Sequence, residues 1–204
     1  GMHRLKPLGE RAVRITYTER ELFSTREKPG VVVKDEWPDW QYTEDGRSVT
    51  FCSTGLKIVI DKNTASYTYY DSEGKLLLEE RARESKCLDE FQSYRLAEDA
   101  EMKVDKIQTA DGVKEIIREA AKVPGEKFYH TRLYLKWQEK EALYGLGQHE
   151  EGLLNLRGQT VYLHQANRKI AIPMLVSSLG YGILMDTYSP MIFNDTAYGS
   201  YLYT

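Results

Sequence analysis

The sequence predicts an all-β fold, an antiparallel sandwich or barrel, and three observations carry that expectation. Apolar and polar residues alternate with period two, the mark of a strand that buries one face. Turn signals interrupt the alternation at roughly ten-residue spacing, as in a string of hairpins. Fifteen of the 204 residues are tyrosine, a side chain suited to a pleated, half-buried surface.

The first half supplies strands in order. Val13, Ile15 and Tyr17 alternate with Arg14, Thr16 and Thr18. Val49 and Phe51 flank Thr50, Leu56, Ile58 and Ile60 alternate with Lys57 and Asp61, and Tyr67 and Tyr69 flank Thr68. Between these runs lie Glu44-Asp45-Gly46-Arg47, Asp61-Lys62-Asn63 and Asp71-Ser72-Glu73-Gly74-Lys75, each rich in turn formers. From Glu79 to Met102 the chain is rich in Glu, Arg, Lys and Ala, and propensity allows a short helix there. Gly112 to Ala121 fits a helical face through Val113, Ile116, Ile117 and Ala120, but the surrounding alternation favours a strand over Glu115–Glu119.

The second half returns to plain β signals. Leu133, Leu135 and Trp137 share one parity with Tyr129, and strands are expected over 160–165, 172–177, 181–186 and 191–193. Pro173 is expected at a strand start, because it cannot donate to a ladder. Gly1 before Met2 resembles a tag-cleavage scar. The run Tyr198–Thr204 reads as a strand that stops inside a longer polypeptide.

Composition narrows the function classes. Lys and Arg number 28 against 31 acidic residues, net −3, and no basic stripe points to nucleic acid. No apolar run approaches the roughly 20 residues of a membrane-spanning helix. Cys52 and Cys87 are too few for a disulfide framework and are read as free, half-buried thiols, with a single disulfide left open. His130, His149 and His164 lack ligand spacing, so neither a metal nor a cofactor is expected. Trp37 and Trp40 read either as hairpin packing or as an aromatic platform for sugar. Asn194-Asp195-Thr196 matches a glycosylation acceptor.

Residues 141–193 carry the most information. Tyr144-Gly145-Leu146-Gly147 reads as a tight structural turn, not as a phosphate loop, since no third glycine or helix follows. Then come Asn155-Leu156-Arg157-Gly158, the strand Val161–His164 running into Gln165-Ala166-Asn167, Pro173-Met-Leu-Val-Ser177-Ser178, and Gly180-Tyr181-Gly182 leading to Asp186. Five pieces in this order resemble the region ahead of the catalytic barrel in family 31 glycoside hydrolases, the α-glucosidase and α-xylosidase family. The resemblance is specific over the last third of the chain and compatible with the rest. Gln148-His149 departs from the Glu of many members, a pattern similar to that of a bacterial branch.

The resemblance implies a galactose-mutarotase-like antiparallel β-sandwich, a supersandwich, forming one N-terminal domain over residues 2–204. The family's catalytic (β/α)₈ barrel needs about 250 residues and is expected after Thr204, so no catalytic residue is nominated in this chain. Retaining enzymes use two carboxylates about 5 Å apart, and in the family both lie on that barrel. The implied role is to pack on the barrel and lend a loop to the pocket for an α-linked oligosaccharide or glycoside. Gln165 and Asn167 are the candidate substrate-binding residues, although many members carry Asp where Asn167 stands. Asn167 is read equally as a residue that stabilises its own turn. Arg157 is read first as a structural salt-bridge residue. Two other readings stay open at this point, a free-standing carbohydrate-binding module and an aldose epimerase on the same fold.

Overall fold

The computed structural model describes residues 1–24, 39–99 and 101–204, and among them every regular element is a strand. In chain order these are β1 (Met2–Gly9), β2 (Ala12–Thr18), β3 (Gln41–Glu44), β4 (Ser48–Cys52), β5 (Leu56–Asp61) and β6 (Tyr67–Asp71). Then follow β7 (Leu76–Glu80), β8 (Lys86–Leu96), β9 (Lys103–Thr109), β10 (Gly112–Glu119), β11 (Lys122–Lys136) and β12 (Leu143–Gln148). Last come β13 (Thr160–Leu163), β14 (Ile170–Ser177), β15 (Gly182–Leu184), β16 (Met191–Thr196) and β17 (Gly199–Tyr203). The chain divides into two compact units, one of Gly1–Cys87 with Thr131–Thr204 and one of Leu88–His130.

The first unit is an antiparallel sandwich. Its long sheet runs β13-β16-β17-β11-β7-β6-β5-β4-β3. The run β3 to β7 is a meander of consecutive hairpins; Ser53 Oγ accepts the Gly55 and Leu56 amides in the β4–β5 turn, and aspartates build the other three turns. Asp45 Oδ1 accepts the amides of Arg47 and Ser48 at 2.6 and 2.7 Å. Asp61 accepts those of Asn63 and Thr64 at 2.9 and 2.8 Å, and Asp71 those of Glu73 and Lys75 at 2.9 Å each. A carboxylate that caps its own turn in this way gives each of these three hairpins a local reason to reverse. The same bonds hold the Asp45 and Asp61 carboxyls below their ordinary values.

A smaller sheet, ordered β12-β14-β15, supplies the second layer. Leu78, Leu135, Val161, Leu163, Met191, Phe193 and Leu202 of the long sheet form one buried cluster with Leu143, Leu146 and Leu175 of the small one. Each such side chain removed from water contributes about 1.5–3 kcal/mol. β1 and β2 pair as a separate hairpin. His3 of β1 bonds the Tyr67 hydroxyl at 2.6 Å. Beside it the buried Glu80 carboxylate accepts from the Lys86 ammonium and from the Tyr67 amide. Burial pushes the Glu80 carboxyl up and the Lys86 amine down, each partly offset by the other. Cys52 and Cys87 are both free and half-buried, as expected.

Two expectations give way in this unit. Pro173 is not at a strand start but inside β14, where the β12–β14 register slips between Gly145 and Gly147. A bulge leaves residues unpaired, so Pro173 owes the ladder no N–H while its carbonyl still accepts Met185 N at 2.9 Å. Gly145-Leu146-Gly147 is that bulge rather than a turn between elements. All three residues have positive φ, +102°, +63° and +98°.

In the second unit β8 pairs β11, and β9 pairs β10 with Val113 opposite Gln108 and Ile117 opposite Val104. The strand expected at Glu115–Glu119 is therefore present. The helix allowed between Glu79 and Met102 is not found among the described residues: β7 runs to Glu80 and β8 takes Lys86–Leu96. Its helix-favouring composition is overridden by pairing and by cross-strand contacts, such as Phe91 stacked on His130 at 4.4 Å and Lys127 paired with Glu90 at 2.8 Å.

Candidate functional site

The run 141–195 folds into two neighbouring arrangements, one buried and structural, one exposed. The buried one centres on Glu141, which is 4 % exposed. Its carboxylate accepts the Ser177 hydroxyl at 2.6 Å, the Tyr181 hydroxyl and the amide of Gln138 at 2.8 Å. Burial, then the bond to Glu141, pushes the Tyr181 phenol well above its ordinary value. Ser178 Oγ accepts Ala142 N at 3.0 Å. Asn155 Oδ1 accepts the amides of Leu143 and Arg157 at 3.1 and 3.2 Å.

Arg157 joins this group to β16. Its Nη1 donates to the carbonyls of Gln138 and Glu141 at 2.9 Å, and its Nε donates to Asp195 Oδ2 at 2.8 Å. Asp195 also accepts Gly158 N at 2.7 Å and the Ser200 hydroxyl. Burial opposes ionisation of Asp195, but the bonds from Ser200, Gly158 and Arg157 prevail and hold its carboxyl below the usual range. The motif residues of the sequence thus interlock as one polar clamp between β12, the 155–158 turn, β14 and β16. Arg157 has the structural role expected of it. Glu141, Tyr181 and Asp195 had no role assigned from sequence, because only the fold shows which buried donors they meet. Asp186, at the end of the same run, pairs with Arg14 of β2 at 2.7 Å.

The exposed arrangement is the β13–β14 connection. Ala166 and Lys169 form a bridge, with Lys169 N donating to Ala166 O at 3.1 Å. Asn167 and Arg168 occupy the two central positions, and Arg168, not Asn167, takes the positive φ of +64°. Ion pairs Arg168–Glu150 at 3.4 Å and Lys169–Glu151 at 2.5 Å tie the loop to the end of β12. The bond from Lys169 lowers the Glu151 carboxyl. Gln165 Oε1 accepts Ala171 N at 3.3 Å, so this candidate braces the base of its loop. The Asn167 side chain is exposed and makes no hydrogen bond to any described residue. The turn is closed by backbone groups, which leaves the Asn167 amide and carbonyl available as donor and acceptor.

Other sequence candidates are not gathered here. His164 is exposed, while His149 Nε2 lies 2.8 Å from Leu146 O. His130 belongs to the second unit. The described residues hold no group of three or more His, Cys, Asp or Glu placed to bind a metal. Trp40 stacks on Phe51 at 4.5 Å and donates Nε1 to Gly9 O at 2.9 Å, so it serves packing; Trp37 lies outside the described residues. Asn194 is 6 % exposed and donates to Thr196 Oγ1 and Gly199 O, which leaves its amide inaccessible as a glycosylation acceptor. A cleft of about 350 Å³ runs along Arg81, Tyr134, Trp137, Arg157 and Ser200. Its guanidiniums are engaged, Arg157 on Asp195 and Arg81 over the Tyr134 ring at 3.6 Å.

The all-strand antiparallel sandwich with this clamp defines the class, an all-β domain, and comparison with known proteins identifies its family. The profile described as the glycosyl hydrolase 31 N-terminal galactose mutarotase-like domain matches residues 3–194, and the chain belongs to that family. It is 27 % identical over 181 residues to an uncharacterized family 31 glucosidase of Pseudescherichia vulneris, covering 89 % of this chain and 32 % of that one. It is 41 % identical over 70 residues to an α-xylosidase of Saccharolobus solfataricus, covering 30 % of this chain and 10 % of that one. Among solved structures, the family 31 α-xylosidase of Xanthomonas citri superposes with a TM-score of 0.73 at 24 % identity, over 95 % of this chain and 18 % of that one. An α-xylosidase from a soil metagenome, complexed with xylose, gives 0.69 at 20 % identity, over 99 % and 28 %. The chain spans less than a third of each of these proteins.

Proposed function

We propose that this chain is the single, non-catalytic N-terminal domain of a retaining α-glycosidase of the α-glucosidase or α-xylosidase type. In this reading it packs on the catalytic barrel of a longer polypeptide and lends the Gln165–Asn167 loop to the pocket for an α-linked oligosaccharide or glycoside. The barrel supplies both catalytic carboxylates, and the 204-residue chain alone hydrolyses nothing. The observation that carries the reading is Asn167 itself: an exposed amide without a side-chain partner among the described residues, on a turn tied down at both flanks. Gln165 supports it by fixing the loop base, and a direct bond from Gln165 to sugar would compete with its bond to Ala171 N. An exposed amide on a braced loop can bond a sugar hydroxyl with little ordering cost.

The test compares hydrolysis of aryl α-glucoside and α-xyloside by the polypeptide extended beyond Thr204 and by the 204-residue chain. Activity in the long form alone is expected. Activity in the short form would overturn the reading.

A further inference from the structure

The two faces of the long sheet differ in chemistry. Val161, Phe193, Leu202 and Leu135 belong to the buried cluster. Residues of the opposite parity on the same strands face outward, and tyrosines dominate them. Tyr134 of β11 pairs opposite Tyr201 of β17, with the rings edge-on at 5.4 Å. Two residues along β17, Tyr203 is in register with Ile192 of β16 and through it with Tyr162 of β13. Two strand intervals of about 4.8 Å each separate Tyr203 from Tyr162. Tyr162 is 57 % exposed and the other three tyrosines are half-buried. The hydroxyls of Tyr134, Tyr162 and Tyr201 bond no described residue. Each such side chain offers an apolar ring and a polar tip together.

At its Tyr134 end this face meets the cleft of about 350 Å³ that Arg81, Arg157 and Ser200 also line, a volume at the lower end of the range for small-molecule sites. Arg81 donates from Nε and Nη2 to the carbonyls of Arg83 and Glu84 at 2.8 and 2.7 Å. Arg157 is bonded through Nε and Nη1. That leaves Nη1 of Arg81 and Nη2 of Arg157 without a hydrogen bond to any described residue. The cations of the cleft nevertheless have counter-ions: Asp195 for Arg157, Glu79 for Lys136 at 3.0 Å and Glu84 for Arg81 at 3.8 Å. Aromatic rings and N–H donors are therefore on offer with little uncompensated charge.

We infer that this cleft and the tyrosine row beyond it bind a neutral, hydroxyl-rich ligand, an α-linked oligosaccharide, at a site separate from the Gln165–Asn167 loop. Only the α linkage rests on the proposed glycosidase role. Compensated charge disfavours an anion. A sugar ring packs its C–H groups on aromatic rings while its hydroxyls accept from the two guanidinium nitrogens. The row extends the contact past the cleft, so a longer oligosaccharide gains contacts as far as Tyr162. The site lies away from the loop candidates. Tyr134 is level with Thr160 at the start of β13, through Tyr201 and Asn194, and Lys136 lies beyond it towards the 155–158 turn. The Asn167 loop follows the other end of β13.

Isothermal titration of the 204-residue chain with maltose and with maltopentaose tests this. Both are expected to bind, maltopentaose several-fold more tightly. Tyr134→Ala should weaken both by roughly three- to tenfold, and Tyr162→Ala should weaken maltopentaose alone. Asn167→Ala should change neither. Tyr162 is exposed, so its variant decides the matter even where Tyr134→Ala disturbs folding. No heat with either sugar, or unchanged maltopentaose binding by Tyr162→Ala, would overturn the site. Loss of binding in Asn167→Ala would move the sugar to the loop, overturning this site while supporting the proposed pocket. Displacement by inorganic phosphate would replace the sugar with an anion. Self-association abolished by Tyr162→Ala, with no response to sugar, would replace it with a second copy. Binding by the 204-residue chain that is lost in the extended polypeptide would show the cleft covered there and would also overturn the site. Hydrolysis by the extended polypeptide is read separately, so the accessory role stands or falls apart from these outcomes.

Discussion

Arg157 Nε donates to Asp195 Oδ2 at 2.8 Å, and this one bond connects the 155–158 turn to β16 in the long sheet. Asp195 is nearly buried and also receives Gly158 N and the Ser200 hydroxyl. Asp195→Asn removes the charge and leaves Arg157 without its counter-ion. Breaking a mostly buried pair from one side costs about 3 kcal/mol. Urea unfolding of the variant is expected to show a loss of that order with an unchanged slope. A loss within experimental scatter would mean the clamp contributes register but little stability.

Gly147 tests the bulge. A Cβ there would lie 1.9 Å from Ile170 O, on a backbone with φ +98°. Neither the carbonyl nor the strand behind it can move without breaking the β12–β14 ladder. Gly147→Ala is expected to cost more than about 3 kcal/mol, or to prevent folding, by strain and collision together. Gly74→Ala is the control: φ is +80° but a Cβ meets nothing within 4 Å, so only the backbone penalty of about 1–2 kcal/mol applies. Thermal unfolding of the two variants should separate clearly.

His3 predicts a pH dependence. Burial, then the Lys86 ammonium and the N-terminal ammonium, depress its pKa from 6.5 to about 4. The folded state therefore disfavours the proton that the unfolded chain accepts below pH 6.5. The contribution of neutral His3 is fully present above pH 6.5 and is lost as pH falls towards 4. Stability measured between pH 7 and 5 should decline, and His3→Gln should flatten that decline. An unchanged slope in the variant would assign it to other groups.

Alternation in the sequence made β2, β4, β5 and β6 legible, and the aspartate-led turns between β3 and β4, between β5 and β6, and between β6 and β7 could be read from composition. β8 was hidden by its Glu, Arg and Lys content, which reports helix propensity but not the pairing with β11 that decides the outcome. The same limit applied to Pro173. A proline reads as a strand start until a bulge, visible only when Gly145 and Gly147 are set against β14, removes the need for its N–H. In the last third, the residues of the resemblance were legible as a set, and Arg157 as a salt-bridge residue, but the partners that give them their jobs were not. Asn155, Arg157, Ser177, Ser178 and Tyr181 meet Glu141 and its neighbours across as many as 40 residues of sequence, and spacing along the chain does not encode that meeting.

The two loop candidates are expected to differ in kind. Gln165→Ala removes the acceptor for Ala171 N and should lower stability by about 1 kcal/mol. It should affect catalysis of the extended polypeptide only through a loosened loop. Chemical unfolding of the 204-residue chain checks this without reference to activity.

Steady-state hydrolysis of an aryl α-glycoside by the extended polypeptide, with and without Asn167→Ala, tests most directly that this domain completes the sugar pocket. Loss of one hydrogen bond to substrate is worth about 0.5–1.5 kcal/mol, so KM should rise up to roughly tenfold while the melting temperature stays fixed. Unchanged kinetics in a correctly folded variant would contradict the account and reduce the domain to a support for the barrel.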